Sequence, residues 1–164
     1  MTDYGLLAKQ IVSLAEVDAH WLPVLSNAAA LLWDALDDIN WVGFYLVDPA
    51  TVASSGSRTP ELRLGPFQGK VACVRIPFGR GVCGAAAATK ISQLVEDVHQ
   101  FPGHIACDSA SNSEVVVPIF KDGQVVGVLD IDSPRVTRFT QEDLAGLEQV
   151  VKVLESCTNF SAFC

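Results

Sequence analysis

Glu114-Val115-Val116-Val117-Pro118-Ile119-Phe120, Lys121-Asp122-Gly123, then Gln124-Val125-Val126-Gly127-Val128-Leu129-Asp130-Ile131-Asp132 is the stretch that decides the fold. Two runs rich in β-branched residues flank a short turn containing Asp-Gly, a strong hairpin signal. Asp130 and Asp132 are two apart on a strand, so their side chains leave the same face. Whether Glu114 joins them depends on register. A two-residue Asp122-Gly123 turn pairs Val115 with Asp130 and sends Glu114 to the opposite face. A three-residue Lys121-Asp122-Gly123 loop, with Gly123 left-handed in a bulge, pairs Glu114 with Asp130 and gathers three carboxylates in one patch. Such a trio cannot all ionise cheaply, so at least one member should hold a proton near neutral pH. A protonated carboxylic acid can donate a hydrogen bond or a proton to a substrate oxygen. The competing reading makes these acids solvated strand-end groups.

Outward from the hairpin, the signals alternate between helix and strand. Thr140-Gln141-Glu142-Asp143 resembles a capping box and opens a C-terminal helix with Leu144, Leu147, Val151 and Leu154 on one face. Toward the N-terminus, Gln93–Val95 reads as a short strand leading into a polar loop from Glu96 to Asn112. Gly79 to Gly84 opens an Ala-rich helix reaching about Lys90. Strands are expected near Glu61–Leu64, over Val71–Ile76 and over Asn40–Val47, and a surface loop from Pro49 to Pro60. Leu7, Ile11 and Leu14 recur at helical spacing, as do Leu25, Ala28, Ala29, Leu32 and Leu36, with Pro23 in the first turn of the second helix. Helices at both termini around hairpin-like strands predict an α+β fold, with an antiparallel sheet and helices gathered on one side.

The chain has 164 residues and reads as one domain over 1–164, with a short tail from about 157. Apolar residues make up 49% and charged residues 18%, enough for a core without metal or disulfide staples. Eleven basic against nineteen acidic residues, a net charge of -8, disfavour nucleic acid or an anionic membrane as partner. No apolar run approaches the roughly 18 residues of a spanning helix. The N-terminus lacks the basic start and apolar stretch of a secretory signal, and five cysteines suit a reducing compartment, so a cytoplasmic protein is expected.

Three of those cysteines crowd between Cys73 and Cys107. Cys107 lies in an irregular polar stretch, His104-Ile105-Ala106-Cys107-Asp108-Ser109, where a thiolate can meet small molecules. Cys83 follows Gly79-Arg80-Gly81 at a helix start, where the dipole and Arg80 favour its thiolate, so the residues nominate it as readily as Cys107. Cys73 sits mid-strand and suits a packed or resolving thiol. Cys157 and Cys164 fall at the helix end and tail, with no role expected. A zinc site from Cys73, Cys83, His104 and Cys107 is disfavoured by its irregular spacing. The G-x-G-x-x-G letters of Gly79 to Gly84 lack a βαβ setting for a dinucleotide. Trp41, Gly43 and Tyr45 share a strand face; two aromatic walls with a gap between them suit a small apolar or sulfur-bearing group, with core packing as the alternative.

Asn40-Trp41-Val42-Gly43-Phe44-Tyr45, Leu64-Gly65-Pro66-Phe67-Gln68-Gly69-Lys70 and the run from Ile76 to Gly84 resemble the free methionine-(R)-sulfoxide reductases, which have the GAF-domain fold. The segments from His104 to Glu114 and from Gly127 to Ser133 do so too, and the likeness runs from about Trp21 to Leu154. It implies a thiol reductase of the free amino acid, involved in oxidative stress. Cys107 would be the nucleophile that becomes a sulfenic acid, Cys73 the first choice of resolving thiol, and Cys83 a relay or substitute. The resulting redox-active disulfide would be reduced by thioredoxin or another dithiol, without a cofactor or metal. The resemblance also selects the three-residue hairpin loop, because Glu114, Asp130 and Asp132 match the family's substrate-binding acids. Trp41 and Tyr45 would flank the methyl-sulfoxide end. GAF domains often pair, so a homodimer is compatible with the resemblance. The competing function is a non-catalytic GAF sensor binding a small ligand such as a cyclic nucleotide.

Overall fold

A computed structural model describes residues 2–52, 59–105 and 108–162. Helices α1 (Tyr4–Val17) and α2 (Trp21–Ala35) precede strand β1 (Trp41–Val47) and a single helical turn, α3 (Pro49–Val52). Strands β2 (Glu61–Gly69) and β3 (Arg75–Pro77), helix α4 (Gly81–Thr89) and strand β4 (Gln93–Val95) follow. The hairpin β5 (Ser113–Lys121) and β6 (Gln124–Ser133) leads into helix α5 (Gln141–Cys157). The strands form one antiparallel sheet in the order β3-β2-β1-β6-β5-β4. The long hairpin therefore sits beside the central β1 rather than at an edge.

Strand alternation divides the core in two. Val42, Phe44 and Leu46 of β1, Val115, Val117 and Ile119 of β5, and Leu129 and Ile131 of β6 point to one face. There they meet α1, α2 and α5 through Leu7, Ile11, Leu25, Leu32, Leu147 and Leu154. Each such side chain, fully buried, contributes about 1.5–3 kcal/mol of transfer free energy. Trp41, Tyr45, Val116 and Val128 point to the other face, covered by α4 through Val82, Cys83, Ala86 and Ala87. The terminal helices thus gather on one side as expected, while the inserted helix closes the opposite side. Trp41, Tyr45, Glu114, Asp130 and Asp132 lie on this side, beneath α4.

The hairpin register differs from both readings of the sequence. Lys121 pairs with Gln124, so the turn is the two-residue Asp122-Gly123 type, with both residues left-handed at φ 50° and 76°. The expected three-residue loop is therefore wrong. A bulge then intervenes: Phe120 pairs with Val125 but Ile119 pairs with Gly127, which leaves Val126 as the extra residue. The slip of one residue restores the parity that the short turn had reversed. Glu114 lies opposite Asp132, and Val116 opposite Asp130.

Other expectations need correction. The strand foreseen over Val71–Ile76 is only Arg75–Pro77, so Cys73 lies in the irregular segment before β3 and not mid-strand. Leu14 is exposed and Ala15 takes the buried position on α1. The loop expected from Pro49 begins as α3, with Thr51 buried. The C-terminal residues are not a loose tail: Asn159 N–H donates to the Ala19 carbonyl at 2.7 Å, and Phe160 enters the core. Cys157 is partly buried against that core. No helix among the described residues is long and apolar enough to cross a membrane.

Candidate active site

A cavity opens between the sheet and α4. It is lined by Trp41 and Tyr45 from β1, Glu114 from β5, and Asp130 and Asp132 from β6. Cys83 from α4, and His104 and Asp108 from the loop before β5, complete its polar wall. The predicted substrate-binding residues are therefore brought together. Val71, Ala72 and Ile76, from β3 and the segment before it, add an apolar side.

Glu114 and Asp130 are deeply buried, each at 6% exposure, and Asp132 is half-buried. Burial raises the Asp130 carboxyl from 3.8 to about 6, against hydrogen bonds from Cys83 and Glu114 that pull it down. Burial first, and the Asp130 charge next, hold both Glu114 and Asp132 well above the usual carboxylate range. Burial thus favours the protonated forms of Glu114 and Asp132 and leaves Asp130 as the member that accepts from Cys83 and Glu114. Asp130 Oδ1 is buried with no hydrogen-bond partner among the described residues, an acceptor open to a ligand.

Cys83 faces this cluster, its Sγ 4.0 Å from Glu114 Oε1. Burial, Asp130 and Glu114 push the thiol well above its ordinary value, so the thiolate expected from the helix dipole and Arg80 does not form. Ligand atoms of Cys83, Glu114 and Asp130 lie within 4.8 Å of one another, close enough for a cation. These three are the metal-ligating group the fold assembles among the described residues, and Cys107 of the zinc set lies outside them. At neutral pH the protons on the thiol and on Glu114 would oppose a metal ion there.

Trp41 and Tyr45 are nearly inaccessible, at 3% and 2% exposure. Their rings stack with centroids 5.8 Å apart, and Trp41 also stacks on Phe67 at 5.3 Å. No gap is left at Gly43, where an added Cβ would lie 2.3 Å from Phe67 Cβ and 2.7 Å from the far edge of Trp41. The aromatics form one continuous wall rather than two walls about a slot. Both also hold the segment after β2: Trp41 Nε1–H donates to the Lys70 carbonyl at 3.1 Å, and Tyr45 O–H to the Cys73 carbonyl at 3.0 Å. Cys73 is disulfide-bonded. Cys107 and Cys164 lie outside the described residues.

Sequence reasoning gave no role to Asn40, Asp108 or Ser111. Asn40 Nδ2–H donates to Asp108 Oδ2 at 3.3 Å and to Ser111 Oγ at 3.1 Å, tying the loop to the start of β1. Strand parity cannot find Asn40, because it precedes the first paired residue. The position of Asn40 beside Trp41 was the available signal. His104, in sequence a candidate zinc ligand, has its Nε2 3.9 Å from Glu114 Oε2.

The GAF domain model matches residues 23–155. The chain is 51% identical over 152 residues to the free methionine-R-sulfoxide reductase of Escherichia coli, covering 93% of this chain and 86% of the relative. The structure of fRMsr of Staphylococcus aureus in its reduced form superposes with a TM-score of 0.86 at 53% identity, covering 97% of each chain. The free methionine-R-sulfoxide reductase from Neisseria meningitidis in complex with its substrate gives a TM-score of 0.85 at 45% identity, covering 94% of this chain and 87% of that one.

Proposed function

We propose that this chain, which belongs to the free methionine-R-sulfoxide reductase family of GAF-domain proteins, reduces free L-methionine-(R)-sulfoxide to L-methionine. The observation that carries the reading is the acid trio gathered on one wall of the cavity, where burial raises all three carboxyls and favours protons on Glu114 and Asp132. An anion in this cavity matches the single ammonium of a free amino acid, and the buried Asp130 Oδ1 is its acceptor. A peptide-bound methionine lacks that cation and would leave the buried charge without a partner. The protonated carboxyls donate to the sulfoxide oxygen, and their hydrogen bonds strengthen as negative charge develops there. Trp41 and Tyr45 offer an aromatic surface to the sulfur and its methyl group.

Cys107 is the nucleophile in this proposal. Its thiolate and the sulfoxide exchange oxygen, so that the cysteine sulfur is oxidised by two electrons to a sulfenic acid and methionine leaves. Cys73 then condenses with the sulfenic acid, expelling water and forming a disulfide. The disulfide at Cys73 supports its assignment as resolving residue. Cys83, buried and protonated, serves as a donor to the acids rather than as an attacking group. A cytoplasmic dithiol protein such as thioredoxin returns both sulfurs to thiols, and no bound cofactor is required. The chain works in this way as a monomer or as a homodimer.

Purified protein with dithiothreitol is expected to convert the free (R)-sulfoxide, and neither the (S) epimer nor an N-acetylated or peptide-bound (R)-sulfoxide. Cys107→Ser should abolish turnover. Full activity in that variant, or equal rates on the N-acetylated substrate, would overturn the nucleophile or the ammonium recognition respectively.

A further inference from the structure

In the proposed reaction Glu114 gives up a proton and must regain it in every cycle, yet it is buried together with Cys83 and Asp130. We propose that His104 is the relay residue through which solvent protons reach Glu114. The inference rests on the reductase reading above, because it is the conversion of thiolate and sulfoxide to sulfenic acid and sulfide that consumes a proton. In that step the sulfur–oxygen bond of the substrate breaks and a cysteine sulfur–oxygen bond forms. The substrate sulfur gains two electrons, and Glu114 gives its proton to the transferred oxygen. An unprotonated Glu114 would then stand beside ionised Asp130 in a low-dielectric cavity, a costly state that blocks the next cycle until it is discharged.

His104 is placed for that discharge. It lines the cavity, its side chain keeps 16% exposure, and its Nε2 lies 3.9 Å from Glu114 Oε2. That separation is about 1 Å beyond a hydrogen bond, within reach of a small ring rotation or one bridging water. The backbone N–H of His104 donates to the Phe101 carbonyl at 3.2 Å, which anchors the residue beside the cavity. The other candidates on the wall are less suited. Arg80 does not release a proton, and Asp108 is engaged by Asn40 and by the Ala110 N–H on the Asp132 side. The titratable groups facing the imidazole among the described residues are Glu114 from β5 and His99 from the preceding turn. Burial first and His99 next lower the imidazole, while burial and the Asp130 charge raise Glu114, so both shifts favour the neutral forms at this contact. An ion pair at this contact is therefore not the resting state. The pair instead works as an acid beside a base that can be charged from water.

Comparing the first turnover with later ones isolates the step: pre-reduced protein is mixed with free methionine-(R)-sulfoxide and saturating dithiothreitol, and methionine is measured through successive cycles, of which the first uses the proton Glu114 already holds and only the steady state needs its return. His104→Gln keeps the volume but carries no proton, and should slow the step about 100-fold with little change in substrate affinity, the low end of acid–base effects. His104→Ala should show the same loss and regain activity in proportion to added imidazole, which the glutamine variant cannot accommodate. A glutamine variant within twofold of wild type, or an alanine variant that imidazole does not restore, refutes the relay. Wild-type protein inert toward the sulfoxide would instead remove the reductase reading itself.

Discussion

Asp130→Asn tests whether the site trades stability for its charge state. Asp130 is raised from 3.8 to about 6 in the folded chain, a difference of about 2 units, or about 3 kcal/mol at ~1.4 kcal/mol per unit. Between these two pH values the folded protein holds a proton that the unfolded chain has released. Stability therefore falls as pH rises: the contribution is complete below 3.8 and gone once the pH has passed about 6. Roughly 2 of those 3 kcal/mol should be lost between about pH 4.5 and 8.5. Glu114 and Asp132 extend the decline upward, because burial and the Asp130 charge hold both above their ordinary values. The asparagine variant removes the Asp130 proton and its repulsion of the other two acids, so its curve should be flatter across the whole range. An amide without buried partners costs about 1–3 kcal/mol at every pH, so the slopes decide and the absolute stabilities do not. Urea unfolding followed by tryptophan fluorescence, under reducing conditions at a series of pH values, gives both curves. Parallel curves would show that the cluster does not store a proton, and the charge-matching account of substrate recognition would fall with it.

Gly43→Ala should destabilise by about 1–3 kcal/mol, because the new Cβ meets Phe67 Cβ and Cα, which cannot swing aside as a side-chain tip can; displacement of Trp41 should also raise KM in a steady-state assay. Tyr45→Phe removes the bond to the Cys73 carbonyl and should cost about 1 kcal/mol in urea unfolding. The same variant should let dithiothreitol reduce the Cys73 disulfide faster, read by thiol labelling. Thr140→Ala breaks a capping box in which the Thr140 hydroxyl and the Asp143 carboxylate each accept a backbone N–H; it should lower stability by about 1 kcal/mol in chemical denaturation with turnover unchanged.

The parts of the fold legible in the sequence were those where one periodicity serves one environment. The face Leu25, Ala28, Ala29, Leu32 of α2 and the face Leu147, Val151, Leu154 of α5 were readable because both helices meet a single apolar sheet surface. Leu14 misled for the opposite reason: the α1 turn toward α2 ends in the small Ala15, and leucine there faces water. The segment from Val71 to Val74 has strand-like composition, but it is held by Trp41 and Tyr45 side chains reaching carbonyls, and only Leu64 N–H donating to Val74 supplies a ladder-like bond. Side-chain tethers from a distant strand leave no mark on local composition. The charge state of Cys83 was likewise hidden. Its place at a helix start argued for a thiolate, and only the fold reveals the three acids that oppose one.

The acid trio shows how little separates a site from a surface in such a sheet. The Asp122-Gly123 turn, taken alone, would put Glu114 among the leucines beneath α1 and α5, an uncompensated carboxyl in an apolar core. Val126 prevents this by occupying an unpaired position in β6, so that everything from Ile119 back to Glu114 changes face relative to the turn. The same slip keeps Val115, Val117 and Ile119 on the helical side with Leu129 and Ile131, so burial of these residues stabilises the bulged register over the straight one. Core packing and site assembly are thereby a single choice of register. Turn chemistry specified the loop, the alternation of apolar residues specified the faces, and the two disagree by one residue. The bulge is where that disagreement is absorbed, and the convergence of Glu114, Asp130 and Asp132 follows from it.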